Sequence, residues 1–378
     1  MTGAPVGRHQ LSDRQRLAWL RLIRTDNVGP QTFRDLINRF GSAEAALDAL
    51  PELARRGAGR EALRPFPADA AQAEMETAAR FGARFVAVGE ADYPPLLRRV
   101  AGPPPLLAVK GDASVLALPA VSIVGARNAS LAGIKMARTL ARDIGREGYA
   151  IVSGLARGID AAAHTGSLDT GTIAALAGGL DRPYPPENLP LCAEIAERGA
   201  LVSEMPFGWE PRARDFPRRN RLIAGLGLGL IVVEAAVRSG SLISARLAGE
   251  AGRLVFAVPG SPLDPRAAGA NGLLKQGATL VTEARDVLDA LAPLAGLRAQ
   301  GPDTFEEPPD FSAAPPPADD DRARIVECLG PTPVGVDEII RHTGLHPAQV
   351  FMVLLELDLA GRLERHSGGA VSLLVGEM

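Results

Sequence analysis

Between residues 121 and 164 the chain repeats one pattern twice: a β-favouring run, a glycine turn and a segment with apolar residues at helical spacing. The first run, residues 121–124, enters a turn at Gly125, and the second, residues 149–152, enters a turn at Ser153-Gly154. Strands that alternate with helices predict an α/β fold with a parallel sheet. Because each turn comes where a strand ends and a helix begins, we expect both turns at the same edge of the sheet.

Each turn also carries an arginine, Arg127 in the first and Arg157 in the second. Helix N-termini present backbone N–H groups and the positive end of the helix dipole, and both attract anions. The sequence therefore predicts a sheet edge that binds phosphate. The plainer interpretation, in which the glycines only turn the chain and the arginines are solvated, leaves two arginines at one edge unexplained.

A dinucleotide is the first phosphate ligand to consider, and the motif argues against it. The first turn, residues 125–128 (GARN), lacks the G-x-G-x-x-G pattern that lets a pyrophosphate approach the backbone. The second strand ends in Ser153-Gly154, where the acidic residue that holds a ribose would be needed. No nicotinamide or other cofactor is therefore expected.

A second stretch, residues 207–225, is locally basic. It holds five arginines against two acidic residues, a local net charge of +3 in a chain whose overall net charge is −3. Aromatic residues stand among these arginines, and cations that track phosphates beside rings that stack on bases are typical of single-stranded nucleic acid binding. The alternative is a solvated basic loop. Because the whole chain is acidic, any polyanion site must be local.

The rest of the composition excludes other classes of protein. Cys192 and Cys328 lie far apart without C-x-x-C spacing, which predicts neither a disulfide framework nor a zinc site. The N-terminus lacks a signal-peptide apolar region, and the longest apolar run, residues 222–237, is too short to span a membrane and contains Glu234. A chain of 378 residues is therefore expected to be a cytoplasmic protein of two or three domains.

Pattern changes along the chain predict four segments. They are a helical SAM-like or helix-hairpin-helix domain at residues 8–75, an α/β domain at 80–295, a Pro/Asp-rich linker at 296–321 and a winged helix at 322–378. The N-terminal glycine turn could offer amides to DNA phosphates, or the helices could be a packing module. The expected recognition helix, from residue 347 to 358, has no Lys or Arg, so a protein contact is at least as reasonable as duplex binding.

Six segments together resemble the DNA-processing protein A family (DprA, also called Smf). They lie at residues 123–128, 153–164, 178–188, 216–226, 233–248 and 256–282, in the family's order and with similar spacing. The resemblance implies a Rossmann-like protein that binds and protects single-stranded DNA and loads the recombinase RecA during natural transformation. It also implies a SAM-like N-terminal domain and a homodimer formed through the Rossmann-like domain.

The resemblance carries over residue by residue. The family's G-S-R turn falls on residues 125–127, which makes Arg127 a phosphate anchor, although Ala126 replaces the expected serine. Some relatives carry a lysine where this chain has Pro186. For Asp160 and Asn220, a structural role in holding loops in place is as reasonable as direct contact with DNA. The expected DNA-binding residues are Gly125, Ala126, Arg127, Asn128, Ser153, Gly154, Arg157, Gly158, Phe216, Arg218, Arg219, Asn220, Arg221, Ser239, Gly240 and Ser241.

An enzyme of the same Rossmann subclass is the alternative. Nucleotide phosphoribohydrolases that resemble lysine decarboxylases place a catalytic glutamate in the helix after a P-G-G-x-G-T loop. The matching loop here is residues 239–241, and residues 242–245 (LISA) supply no acid, so nothing activates water. The lone His164 of the α/β domain fits a packed or capping residue better than a catalyst. With no Ser/His/Asp set or metal cluster apparent, we expect a binding protein without catalytic activity.

Overall fold

The computed structural model describes residues 10–57, 63–295 and 316–374. These residues form two compact units. The terminal unit contains residues 11–57, 63–72 and 316–374, and the α/β unit contains residues 73–295.

Helices open the terminal unit. Ser12 caps the first helix, since its hydroxyl accepts a hydrogen bond from the amide of Gln15 at 3.3 Å and the Gln15 side chain bonds back to the amide of Ser12. The second helix ends at Gly41, whose φ of +75° is left-handed and favours glycine. The bounds are α1 Asp13–Arg24, α2 Pro30–Phe40 and α3 Ala43–Arg56.

The α/β unit is built on one sheet, and nine of its strands lie within the described residues. The strands are β1 Ala83–Ala87, β2 Leu106–Gly111, β3 Ala120–Gly125, β4 Ala150–Ser153, β5 Thr172–Ala175, β6 Ala200–Ser203, β7 Gly229–Val233, β8 Leu254–Ala257 and β9 Thr279–Leu280. Their order is β1-β2-β6-β5-β4-β3-β7-β8-β9. The strands from β3 to β9 run parallel, whereas β1 and β2 form an antiparallel edge. The predicted parallel α/β sheet is confirmed.

Helices cover both faces of this sheet. They are α5 Leu131–Arg146, α6 Ile159–Ser167, α7 Leu189–Arg198, α8 Asp215–Leu226, α9 Gly240–Glu250, α10 Ala268–Lys275 and α11 Ala284–Ala295. The helix α4 Ala68–Arg80 precedes the first strand. Alternate residues of β3 point to opposite faces, so Val121 and Ile123 pack with α5, α6 and α11, while Ala120 and Val124 pack with α8 and α9. Burial on both faces explains why the strands are apolar throughout.

The strand order reverses at β3. The strands β4, β5 and β6 lie on one side of β3, and β7, β8 and β9 lie on the other. In open α/β sheets, ligands bind outside the carboxyl ends of the strands at such a reversal. The crevice between the ends of β3 and β7 is therefore the place where the fold favours a ligand.

The C-terminal part of the terminal unit has the predicted winged-helix architecture, with helices and a three-stranded sheet of order β10-β12-β11 within the described residues. The acidic run 319–321, expected in the linker, instead forms the first turn of a helix, where negative charge complements the helix dipole. The rest of the predicted linker falls mainly on residues 296–315, outside the described residues. The bounds are α12 Asp319–Glu327, β10 Val334–Gly335, α13 Val336–Thr343, α14 Pro347–Leu359, β11 Leu363–Arg365 and β12 Ala370–Leu373.

The expected recognition helix, α14, is an interior helix. Nine of its 13 residues, all within the described part of the chain, are buried. Val353 and Leu357 join the core of the winged helix, whereas Met352, Leu355 and Leu359 join the core formed by α1, α2 and α3. A helix that is apolar on all sides packs inside a protein. α14 therefore packs against the N-terminal helices of the same unit, and the protein contact considered for it stays a prediction.

Among the described residues, no helix combines the length and the apolar content needed to cross a bilayer. These residues also contain no group of three or more His, Cys, Asp or Glu side chains placed to hold a metal ion.

Candidate nucleic-acid interface

A pocket of about 440 Å³ lies at the carboxyl edge of the sheet, where the strand order reverses. The turns after β3, β4 and β7 and the start of α8 surround it. The turns after β3 and β4 were expected at one edge of the sheet, and the structure brings them together with the turn after β7. Ten of the sixteen expected residues line the pocket within the described chain: Gly125, Ala126, Arg127, Asn128, Phe216, Arg219, Asn220, Ser239, Gly240 and Ser241.

The turn after β3 rests on the N-terminus of α6. The amide of Ile159 donates a hydrogen bond to the carbonyl of Ala126 at 3.2 Å. Gly158 has φ +75°, and a Cβ atom there would lie 2.3 Å from the Ala126 carbonyl oxygen, closer than real Cβ contacts. Glycine at position 158 thus lets the two turns touch. The exposed side chains of Arg127 and Asn128 are held at the pocket by this contact.

Arg219 supplies a buried positive charge to the pocket. The residue is 6% exposed, and its guanidinium donates to the carbonyl of Gly154 and, at 2.9 Å, to that of Ala175. Burial lowers the pKa of Arg219 to about 10, and Asp160 opposes that shift. The side chain is therefore still cationic at neutral pH. It joins the ends of β4 and β5 while its charge faces the pocket.

Asp160 and Asn220 hold the loops around the pocket. The carboxylate of Asp160 accepts hydrogen bonds from the amides of Gly154 at 3.2 Å and Ala156 at 3.4 Å. Burial raises the pKa of Asp160, while Arg219 and the two amides act against that shift. The side-chain amide of Asn220 donates to the Gly240 carbonyl at 3.3 Å and so fixes the turn after β7. These contacts are those of the loop-pinning role considered for both residues.

The N-terminus of α9 points its first turn into the pocket. Ser239 caps this helix: its hydroxyl accepts from the Ser241 amide at 3.3 Å and lies 2.5 Å from the Ser241 hydroxyl. The neighbouring Arg238 is exposed and makes no ion pair or hydrogen bond with the part of the chain that the structure describes. Arg266 also lines the pocket but is paired with Asp264 at 2.8 Å. A helix N-terminus beside unpaired cations is suited to phosphate.

The N-terminus of α5 is occupied by the protein itself. In dinucleotide-binding sheets the helix after the first strand of the motif receives the pyrophosphate. Here the carboxylate of Glu234 accepts hydrogen bonds from the amide of Ser130, at 2.9 Å, and from its hydroxyl. Glu234 has φ +54°, a strained value for a residue with a side chain. A carboxylate at this position would repel a pyrophosphate, in agreement with the missing glycine motif.

Aromatic rings continue the surface beyond the pocket. The guanidinium carbon of Arg127 lies 5.2 Å from the centroid of the Phe216 ring. The Tyr184 ring packs edge to face against the same Phe216 ring, with 5.8 Å between the two ring centroids. Tyr184 is 48% exposed. A shallow depression lined by Tyr184, Gly154 and Arg157 adjoins Phe216 and Arg127. Arginines beside accessible rings match the requirements of unpaired bases and their phosphates.

Other expected site residues lie elsewhere. Arg218 and Arg221 both pair with the buried carboxylate of Glu204, Arg218 at 3.1 Å, and Arg221 also donates to the Gly102 carbonyl at 2.9 Å. Neither lines the pocket, because the helical repeat of α8 puts them on a different face from Phe216 and Arg219.

The turn after β4 also contributes mainly structure. Ser153 is buried and donates its hydroxyl to the Ile123 carbonyl at 2.6 Å. Arg157 is exposed and lies 3.6 Å from Glu187. Gly154 and Arg157 border the depression beside the pocket, while Gly158 acts through its contact with the turn after β3.

Four residues at or beside the site were not predicted from the sequence: Tyr184, Glu234, Arg238 and Arg266. Arg238 directly precedes the expected turn at residues 239–241, so its position in the sequence could have indicated a place in the site. The left-handed backbone of Glu234 and the approach of Arg266 depend on tertiary structure, which local patterns do not encode.

The fold defines a Rossmann-like protein, and the pocket places cations and a helix N-terminus at the carboxyl edge of its sheet. Family models match the chain at residues 84–292 (DNA recombination-mediator protein A), 13–77 (DprA-like N-terminal HHH domain) and 307–369 (DprA winged helix domain). The chain belongs to the DNA recombination-mediator protein A family.

Similar proteins carry the related names. Protein Smf of Escherichia coli is 39% identical over 284 residues, which cover 74% of this chain and 75% of that protein. The X-ray structure of DNA processing protein A from Streptococcus pneumoniae matches with a TM-score of 0.63 and 33% identity, covering 74% of this chain and 98% of that chain. DNA processing protein A from Helicobacter pylori matches with a TM-score of 0.51 and 30% identity, covering 56% of this chain and 96% of that chain.

Proposed function

We propose that this protein binds single-stranded DNA at the carboxyl edge of its sheet, protects incoming strands and loads RecA on them during natural transformation. The observation that carries the proposal is the pocket at the strand reversal. It combines exposed Arg127 and Arg238, the buried charge of Arg219 and the N-terminus of α9. Cations and helix amides together hold phosphates without reading sequence.

Accessible aromatic rings favour a single strand over a duplex. Phe216 and Tyr184 lie beside the arginines, and Tyr184 is about half exposed. Bases of a single strand can stack on such rings, whereas those of a duplex are already stacked on one another. The structure of the Helicobacter pylori relative was solved in a study of its single-stranded DNA binding mode, which supports the same ligand here.

We infer the partners and the location in the proposal from the family. Membership of a family of DNA recombination mediators supports a recombinase partner, for which RecA is the expected protein. A homodimer through the α/β unit and a cytoplasmic location, where single-stranded DNA meets RecA, complete the proposal.

The pocket supports binding better than hydrolysis. The first turn of α9 has no acidic residue. Among the described residues that line the pocket, Asp160 is the carboxylate, and it is buried against Arg219 and bonded to two backbone amides. His164 is fully buried outside this lining, with its Nδ1 atom 2.7 Å from the Thr172 hydroxyl. None of these groups is placed to deprotonate water in the pocket.

A salt titration tests the binding. Fluorescence anisotropy of a labelled single strand is measured with the full chain, with Arg127→Ala and with Arg142→Ala, an exposed arginine of α5 that pairs with Asp143. We expect log affinity to fall with log salt by about 0.7 for each phosphate contacted. Arg127→Ala should lower affinity about tenfold, equivalent to about 1.4 kcal/mol, and Arg142→Ala should not. Absence of binding at low salt, or equal effects of the two variants, would overturn the proposal.

A turnover assay separates the two function classes. The full chain is incubated with a panel of nucleoside monophosphates, and release of free base is followed by chromatography. We expect no release above the uncatalysed rate. Base release that disappears in Arg127→Ala would instead show a hydrolase that uses the same pocket.

A further inference from the structure

The loop between β6 and α8 carries a basic and aromatic surface that lies outside the lining of the pocket. The guanidinium carbon of Arg212 lies 4.9 Å from the centroid of the Trp209 ring. Arg212 and Arg214 are exposed, and neither forms an ion pair with the residues that the structure describes. The exposed acid of the loop, Glu210, instead lies 4.0 Å from Arg182. We call Trp209, Arg212 and Arg214 the Trp209 surface.

Two carboxylates hold the Trp209 surface in shape. The buried Asp215 accepts hydrogen bonds from Nε1 of Trp209 at 2.9 Å and from the backbone amide of Arg212 at 2.8 Å. Asp181 accepts a hydrogen bond at 2.8 Å from the amide of Gly208, whose φ of +80° is left-handed and favours glycine. The ring and the backbone of the loop are therefore fixed. A fixed contact surface loses less conformational entropy when it binds a ligand.

The Trp209 surface lies along the same carboxyl edge of the sheet as the pocket. Its loop follows the end of β6, and the Gly179 amide, in the turn after β5, donates to the Trp209 carbonyl at 3.0 Å. The strands β3, β4, β5 and β6 are consecutive neighbours and run parallel. The depression beside Tyr184 borders the end of β4 and so lies between the two surfaces. At about 4.8 Å per strand, β6 lies about 14 Å from β3, which is about four stacked nucleotides at about 3.4 Å each.

We propose that the Trp209 surface is a second contact site for the DNA strand held in the pocket, and that the strand runs between them past the ends of β4 and β5. This extension rests on the proposed function of the pocket. Arg212 and Arg214 contact phosphates, and the Trp209 ring with its adjoining guanidinium offers a base a surface for stacking. Such contacts accept any sequence, because every base has an aromatic face. The pocket alone therefore does not set the length of strand that the protein covers.

Tryptophan fluorescence and anisotropy together test this path in the full chain. With Trp19→Phe as the background, Trp209 is the remaining tryptophan, and quenching by an oligothymidine reports a base stacked on its ring. Anisotropy of a labelled oligothymidine over a salt series reports the total affinity and the number of phosphates contacted. The variants are Arg212→Ala/Arg214→Ala, Arg127→Ala and the matched control Arg138→Ala/Arg142→Ala. The control makes the same charge change at two exposed positions of α5.

We expect the strand to quench Trp209 in the background protein and in the control. Loss of Arg212 and Arg214 should reduce the slope of log affinity against log salt by about 1.4, or about 0.7 for each phosphate contact, and weaken binding about 25-fold at about 0.1 M salt. In Arg127→Ala, the strand concentration that gives half of the quenching should rise by the same factor as the dissociation constant from anisotropy, because one strand contacts both surfaces.

The contrary results separate this inference from the proposed function. An unquenched Trp209 and an unchanged salt slope in Arg212→Ala/Arg214→Ala, with binding still weakened in Arg127→Ala, would overturn the second contact and leave the pocket as the DNA site. Quenching that needs no more strand in Arg127→Ala than in the background protein would overturn the continuous path. Absence of strand binding by the background protein would overturn both proposals.

Discussion

Replacing Arg219 and replacing Arg127 should both weaken DNA binding, but only the replacement of Arg219 should strongly reduce the stability of the fold. Both side chains line the pocket. Arg219 is 6% exposed, donates hydrogen bonds to two strand-end carbonyls and faces the buried Asp160. Arg127 is exposed, and its guanidinium lies beside the Phe216 ring. Only the first substitution removes a buried cation, and Arg219 is also the cation that acts most strongly on the buried carboxylate of Asp160.

The magnitudes follow from this difference. Removing one partner of a buried charge pair costs about 3–5 kcal/mol. In a unit of about 200 residues, each kcal/mol shifts Tm by about 2–4 °C, so Arg219→Ala should lower Tm by roughly 10 °C. Arg127→Ala should change the free energy of unfolding by less than about 1 kcal/mol, the worth of an exposed cation–π contact. The double variant Asp160→Asn/Arg219→Ala should recover part of the loss, because the unpaired charge is gone.

The assay separates the two compact units. The chain has two tryptophans, Trp19 in the terminal unit and Trp209 in the α/β unit. In a Trp19→Phe background, Trp209 fluorescence during urea unfolding reports the α/β unit, and anisotropy reports single-strand binding. The reasoning is refuted if the free energy of unfolding of Arg219→Ala lies within about 1 kcal/mol of that of the parent protein, a margin typical of surface substitutions. It is also refuted if Arg127→Ala is as destabilising as Arg219→Ala.

Two further predictions concern stability. Burial lowers the pKa of His164 to about 3, so between that value and the unfolded value near 6.5 the unfolded chain binds more protons and stability falls with falling pH. His164→Gln should reduce the slope of unfolding free energy against pH in that window by up to about 1.4 kcal/mol per unit, and an unchanged slope would contradict it. Gly158→Ala combines a φ of +75° with a 2.3 Å approach to the Ala126 carbonyl, and should cost about 3 kcal/mol in denaturant unfolding. Gly148→Ala, with φ +83° and open space around it, should cost only about 1 kcal/mol, and equal losses would remove the packing argument.

Local sequence patterns predicted the part of the fold that repeats. The strand and glycine-turn pattern of residues 121–164 is visible because periodicity and turn chemistry act over a few residues. Parallel pairing then placed the turns after β3 and β4 at one edge, and the structure confirms this sheet. The same reasoning could not choose among the arginines of α8. Arg219 enters the pocket while Arg218 and Arg221 turn to Glu204, and that choice depends on which face of α8 the sheet covers.

Contacts between distant segments were beyond local patterns. Asp35 and Arg365 are 330 residues apart in sequence, and Asn27 and Leu359 are 332 apart. The lack of Lys and Arg in α14 favoured a protein contact over duplex DNA but could not indicate which segment packs against it. The left-handed backbone of Glu234 likewise accompanies a hydrogen bond from Ser130, which is 104 residues away in sequence.

The most direct test of the central claim is a hydrogen-exchange footprint of the full chain with and without a saturating oligothymidine. If the carboxyl edge of the sheet holds the strand, amides at residues 125–128, 154–158 and 239–241 should be protected on binding, and the surfaces of α12 and α13 should not. Protection confined to the terminal unit, with unchanged exchange in all three turns, would contradict the account and place the single-strand site elsewhere.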